Sequence, residues 1–148
     1  RAAYALGRIG AQAETDTVVP FLATALIEDV DTSVRLSAAD ALTVMKEKAK
    51  AATPNLVYVL LNDQEPQVRI NAAMALGNMG REAKNAVPNL TKALLNEKDS
   101  AVQWHITYAF SSIGAEAKEA VPALTEVLLS NIKPEVRSRA IDALNSIG

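Results

Sequence analysis

Pro20, Pro54, Pro88 and Pro122 stand 34 residues apart, and nothing else in the chain limits its fold more. Val34, Val68, Val102 and Val136 keep the same step, followed by Arg35, Arg69, Gln103 and Arg137. One length change breaks the register: residues 10–20 (GAQAETDTVVP) are two residues longer than residues 80–88 (GREAKNAVP). A fixed period of this size predicts a solenoid, in which each unit is too small to bury its own apolar face and must stack on its neighbours. Composition agrees with a folded chain, at 49% apolar and 22% charged residues over 148 positions.

Each unit holds two helical segments. The first begins near the proline, as in TPNLVYVLLND and VPNLTKALLNE, where a missing N–H costs little because first-turn N–H groups have no intrahelical partner. Apolar residues two, five, six and seven positions after the proline sweep an arc of about 200° at 100° per residue, too wide to be covered from one side. The second segment follows an acidic or proline turn (Asp31–Thr32, Glu65–Pro66, Asp99–Ser100, Lys133–Pro134), which reads as helix caps. It ends at Gly10, Gly80, Gly114 and Gly148, suited to a left-handed residue past the helix, with Lys46 in place of glycine in one copy. Ala5, Ala41, Ala75, Ala109 and Ala143 share one position, followed by Leu6, Leu42, Leu76, Phe110 and Leu144. A recurrent alanine lets neighbouring backbones come close, and the larger residue beside it fills the space.

Tetratricopeptide repeats have the same period, but their Trp, Leu-Gly, Tyr, Ala, Phe, Pro pattern is absent. The chain instead resembles the HEAT repeat, in the short variant found in phycobilin (PBS) lyases. The residues that carry the likeness are Pro-x-Leu-x-x-x-Leu-Leu, as in Pro88–Leu95, and Val-Arg-x-x-Ala-Ala-x-Ala-Leu-x-x-Met-Gly, as in Val68–Gly80. The fourth unit departs from it at Gln103 and Thr107, which is expected to loosen the stacking there. The resemblance implies an all-α, right-handed solenoid of about four and a half repeats in one domain. A partial repeat at 1–18 precedes repeats near 19–46, 53–80, 87–114 and 121–148. Because residue 1 is Arg and falls inside a repeat, the chain is expected to be a piece of a longer array whose uncapped ends can associate.

The resemblance further implies that the Val-Arg helices line the concave side. Positions one, two, five, eight and nine after the arginine are then expected to face solvent. They are the least repetitive positions in the chain, and they supply the candidate partner site: Tyr4, Arg8, Asp40, Ile70, Met74, Trp104, His105, Tyr108, Arg139 and Asp142. Asn71 and Gly77 belong to the same set. Three of the six aromatic residues, including the only tryptophan, fall in it. Clustered aromatic and Met side chains suit a protein-binding patch, and Trp and Tyr lead the residues whose truncation weakens binding most. Against this stands the reading of position one (Leu36, Ile70, Trp104) as packing between repeats.

These patterns point to a protein-interaction scaffold that is not an enzyme and takes no cofactor. The partner is a protein or peptide. A lyase-like subunit holding a tetrapyrrole and its acceptor protein is the alternative that the resemblance supplies. Nucleic acid is disfavoured, because net charge is −2 and Arg1, Arg8 and Arg139 are balanced by Asp40 and Asp142. A single histidine and no cysteine leave little for metal binding or nucleophilic catalysis, and the His-Glu pairs of HEAT-fold metal hydroxylases are missing. The acids at 28–31 (EDVD) lack the glycine and terminal glutamate of a calcium loop, so they are read as capping the next helix and facing Arg35, with Asp63 and Arg69 repeating the arrangement. The sequon at 89–91 (NLT) lies in a helical first turn. No apolar run reaches the length of a membrane helix, and a cytoplasmic location is expected.

Overall fold

A computed structural model describes residues 15–130 and 133–148. Tyr4, Arg8, Gly10 and most of the expected partial repeat fall outside the described residues. Among the described residues eight α-helices follow in order: α1 (Thr15–Glu28), α2 (Thr32–Met45), α3 (Thr53–Asn62), α4 (Pro66–Asn78), α5 (Val87–Asn96), α6 (Ser100–Ile113), α7 (Val121–Leu129) and α8 (Pro134–Ile147). No strand occurs among the described residues. The odd-numbered helices are the proline helices and the even-numbered ones the Val-Arg helices. Short 3₁₀ segments, Lys46–Ala52, Gly80–Ala86 and Gly114–Ala120, carry the chain from one repeat to the next.

The local chemistry explains each element. Pro54, Pro88 and Pro122 occupy the first turn of their helices. The first copy differs: α1 starts at Thr15 and holds Pro20 in its interior, so the helix begins five residues before the expected start and the proline removes one of its internal hydrogen bonds. Asp31 and Asp99 cap α2 and α6 through their side chains, whereas α4 and α8 start on Pro66 and Pro134 with no side-chain cap. In each 3₁₀ segment two alanines three residues apart (Ala49 and Ala52, Ala83 and Ala86, Ala117 and Ala120) are buried, matching three residues per turn.

Val-Arg helices pack closely on one another, α2 on α4, α4 on α6 and α6 on α8, while the proline helices touch their own kind only sparsely. The array therefore curves with the Val-Arg row inside. Ala41, Ala75, Ala109 and Ala143 are wholly buried along that row. At Gly77 the approach is tight, since a Cβ there would lie 3.2 Å from the Ala109 Cα.

Four expectations need correction. Asn71 and Gly77 are buried rather than solvent-facing, because the neighbouring Val-Arg helix lies too close for either to reach water. The seventh position after the proline is core in only part of the array: Leu61 packs on the core, but Ile27 is 36% and Leu95 47% exposed, because proline helices touch one another only sparsely. Thr107 leaves no gap; it is fully buried and its hydroxyl donates to the Trp104 carbonyl at 2.7 Å. The acid that takes each arginine also belongs to the following repeat. Arg35 Nε meets Asp63 Oδ2 at 2.8 Å, and Arg69 Nε meets Glu97 Oε2 at 2.8 Å. Each guanidinium also donates to a carbonyl of its own connection, Asp29 at 3.1 Å and Asp63 at 2.9 Å. Gln103 makes only the second contact, donating to the Glu97 carbonyl at 2.8 Å.

Candidate functional site

The inner row places side chains from four helices on one face, and the described candidates divide into two groups. On α2 and α4, Asp40 is exposed and accepts from Asn71 Nδ2 at 2.7 Å, while Asn71 Oδ1 accepts from Gln67 Nε2 at 3.0 Å. The protein packed around the Asp40 carboxyl strips part of its water and pushes it above its ordinary value. Ile70, Leu36 and Trp104 are half-buried and pack on the core, as position one does under the inter-repeat reading. Met74 and Tyr108 are half-buried as well, so the exposure expected of this set is partial.

On α6 and α8 five candidates converge. The Arg139 guanidinium carbon lies 4.3 Å from the Trp104 ring centroid, a cation–π contact. The Tyr108 ring runs nearly parallel to the indole, at 10° and 6.3 Å between centroids, and the His105 ring meets it edge-on at 4.8 Å. Arg139 Nη1 reaches Asp142 Oδ2 at 3.4 Å, while its Nε is buried with no partner. His105 Nδ1 lies 2.7 Å from the Ala101 carbonyl. A carbonyl only accepts, so this nitrogen carries the proton.

Neighbouring helices set the geometry. Tyr108 lies flat on α4 because residue 77 has no side chain: a Cβ there would stand 2.7 Å from Tyr108 Cε1. The Tyr108 hydroxyl donates to Asn78 Oδ1 at 3.0 Å, and Asn78 Nδ2 donates to the Thr43 carbonyl at 3.4 Å. The aromatic group is thus tied across three helices. Beside it, at the start of α6 and α8, Ser100, Ala101, Trp104, His105 and Glu135 line a cavity of about 390 Å³. Ser100 and Glu135 were missed from sequence because they lie in the first turn, ahead of the arginine from which inner positions were counted. Gly77, Asn71 and Asn78 act as supports rather than contacts. Their role depends on interhelical distance, which periodicity does not give.

Among the described residues no group of three or more His, Cys, Asp or Glu is placed to hold a metal ion, and no helix is long and apolar enough to cross a membrane. The architecture and this surface define a class: a stacked helical-hairpin array presenting a fixed row of side chains along its inner face. A family model of HEAT repeats matches residues 53–145, more than half of the chain, and the chain belongs to the HEAT-repeat family. HEAT repeats generally mediate protein–protein interaction, and proteins built from them are usually scaffolds without catalysis. No curated protein matches the chain.

Proposed function

We propose that this chain is a protein-interaction scaffold whose inner row takes a partner segment centred on Trp104. The observation that supports this most is the half-buried indole held between Arg139 and Tyr108 beside an open cavity of about 390 Å³. A large aromatic side chain fixed before binding loses little entropy on binding, which is how a few residues come to dominate an interface. Asp40, Ile70, Met74 and Asp142 extend the surface on either side. The test is to isolate the bound protein with the wild-type chain and remeasure its affinity for Trp104→Ala and Tyr108→Ala. Losses of at least about 2 kcal/mol are expected. If neither variant weakens binding by about 1 kcal/mol, a factor of about five, the site is elsewhere.

The lyase-type subgroup is a finer reading, and one feature favours it: a nearly parallel Trp104–Tyr108 pair beside a guanidinium could flank a flat tetrapyrrole with acidic side chains. Mixing the chain with a bilin tests this. An unshifted visible band removes it, while the scaffold reading stands on its own assay.

A further inference from the structure

The seventh residue after each proline is aliphatic in all four copies: Ile27, Leu61, Leu95 and Leu129. A position kept apolar through every repeat would ordinarily be core. Here Ile27 is 36%, Leu95 47% and Leu129 84% exposed, the last on the final proline helix, while Leu61 is half-buried. Each sits near the end of its helix, and Ile27 and Leu61 also border the crevice before the next one. Ile27 borders a cavity of about 250 Å³ with Tyr58, Asn62 and the Arg35–Asp63 pair, and Leu61 borders one of about 180 Å³ with Ala93, Asn96 and the Arg69–Glu97 pair. The result is an apolar stripe running along the array on its outer side, away from Trp104.

The stripe borders one charged edge. The connections at residues 28–35, 62–69 and 96–103 carry seven carboxylates against Arg35, Arg69 and Lys98, a net charge of −4, whereas the connection beside Leu129 carries Lys133 and Arg137 against Glu135. On the opposite edge, the turns at 46–52, 80–86 and 114–120 carry six basic and four acidic residues, a net of +2. An occupant of the stripe must therefore be apolar on one face and cationic beside it.

Spacing selects its conformation. Packed helices lie about 8–10 Å apart. A partner α-helix laid across them presents residues i, i+7 and i+14 on one face about 10.5 Å apart, close to that step. An extended strand shows same-face residues only about every 6.6 or 13 Å, which does not match. We propose that this stripe docks a cationic amphipathic helix of a partner protein, with one heptad of the helix per repeat.

The test uses fluorescence anisotropy with a labelled peptide of about 21 residues, three Leu-faced heptads with Lys on the remaining positions. Two controls accompany it: the same composition scrambled, and the helix with Glu replacing Lys. The chain is expected to bind the Lys helix at least about tenfold tighter than either control, and tighter at about 50 than at 300 mM salt. Leu95→Lys with Leu129→Lys should weaken binding at least about tenfold. Should the double variant misfold by circular dichroism, Leu129→Lys alone, at the most exposed position, gives the same comparison. Equal binding of the scrambled or Glu peptide overturns the proposal, and so does insensitivity to the Leu substitutions. Loss of peptide binding with Trp104→Ala but not with the Leu variants moves the site to the inner row. A wild-type dimer in sedimentation that Leu129→Lys dissolves makes a second copy the occupant, which also overturns it.

Discussion

Lys46 holds a backbone conformation that its repeat partners give to glycine, and replacing it should stabilise the protein. Its angles are φ 51° and ψ −131°; Gly114 has φ 68° and ψ −138°, and Gly80 has φ 55°. Any side chain in this region crowds the backbone at a cost of about 1–3 kcal/mol. Glycine would recover that strain but lose about 0.5–1 kcal/mol through its freer unfolded state. Lys46 is exposed and has no ion pair among the described residues. The net gain for Lys46→Gly is about 1 kcal/mol, or about 2–4 °C in Tm for a chain of this size. Urea unfolding followed by circular dichroism and by Trp104 fluorescence should show the same shift with both probes at constant slope. Gly80→Ala supplies the converse: its Cβ would meet only the Ser112 carbonyl oxygen, at an ordinary 3.6 Å, so the variant adds no clash and should cost about 1 kcal/mol net of the unfolded-state gain. A neutral or destabilising Lys46→Gly, together with a silent Gly80→Ala, would refute the argument.

Gly77→Ala tests close approach instead of strain. The new methyl would overlap the Tyr108 ring, and a loss of about 1–3 kcal/mol is expected in urea titration, with altered Trp104 emission as the stacked ring moves. Arg69→Ala should cost about 2–3 kcal/mol, because it strands the Glu97 carboxylate, whose side chain is only 11% exposed. Burial pulls the Glu97 carboxyl upward, yet the Arg69 hydrogen bonds and the Asp99 and Lys98 N–H groups hold it below its ordinary value. A depressed native pKa means that the stabilisation is present above the unfolded value of about 4.3 and fades as pH falls below it. Glu97→Gln should therefore flatten the loss of Tm on acidification below about pH 4.3, while lowering Tm at neutral pH.

Local rules could be read off the chain wherever they act within one segment. The prolines placed their helices, the glycine positions carried positive φ, and the repeated alanines marked the closest interhelical line. What escaped depended on distances between segments. Asn71 and Gly77 are polar or small, at positions that a lone helix would expose, and only the approach of neighbouring helices buries them. Ile27 and Leu95 fail in the opposite sense: they are apolar, but the proline helices diverge and leave them open. The two-residue insertion before Pro20 gave no sign that α1 would run through it. The arginine and the acid were recognised, but their pairing crosses to the following repeat, which a single unit's pattern does not show. At the candidate site Trp104, Tyr108 and Arg139 were legible as residues that vary where their neighbours recur. Glu135 and the cavity it borders were not, since they arise only where two helix starts meet.

The interruption in the arginine ladder bears on what Trp104 does. An arginine this buried needs its acid, so the two should disappear together. They do: Gln103 replaces the arginine in the unit after which Asn131 stands in the place of Asp63 and Glu97. The charged clamp joining α2 to the following repeat, and α4 likewise, is thus missing after α6. The side-chain bridges between α6 and α8 lie on the inner face, as the Asp40–Asn71 and Asn78–Tyr108 bonds do between the earlier helices: the Arg139–Trp104 contact and the Ser111–Ser146 hydroxyl pair at 3.0 Å. Trp104 then holds the last repeat as well as facing the cavity, and a partner competing for its ring would loosen α8. A double-mutant cycle between Trp104→Ala and Arg139→Ala measures this coupling. It should be about 0.5–2 kcal/mol in urea unfolding. Additivity within about 0.3 kcal/mol would mean that the two merely lie side by side.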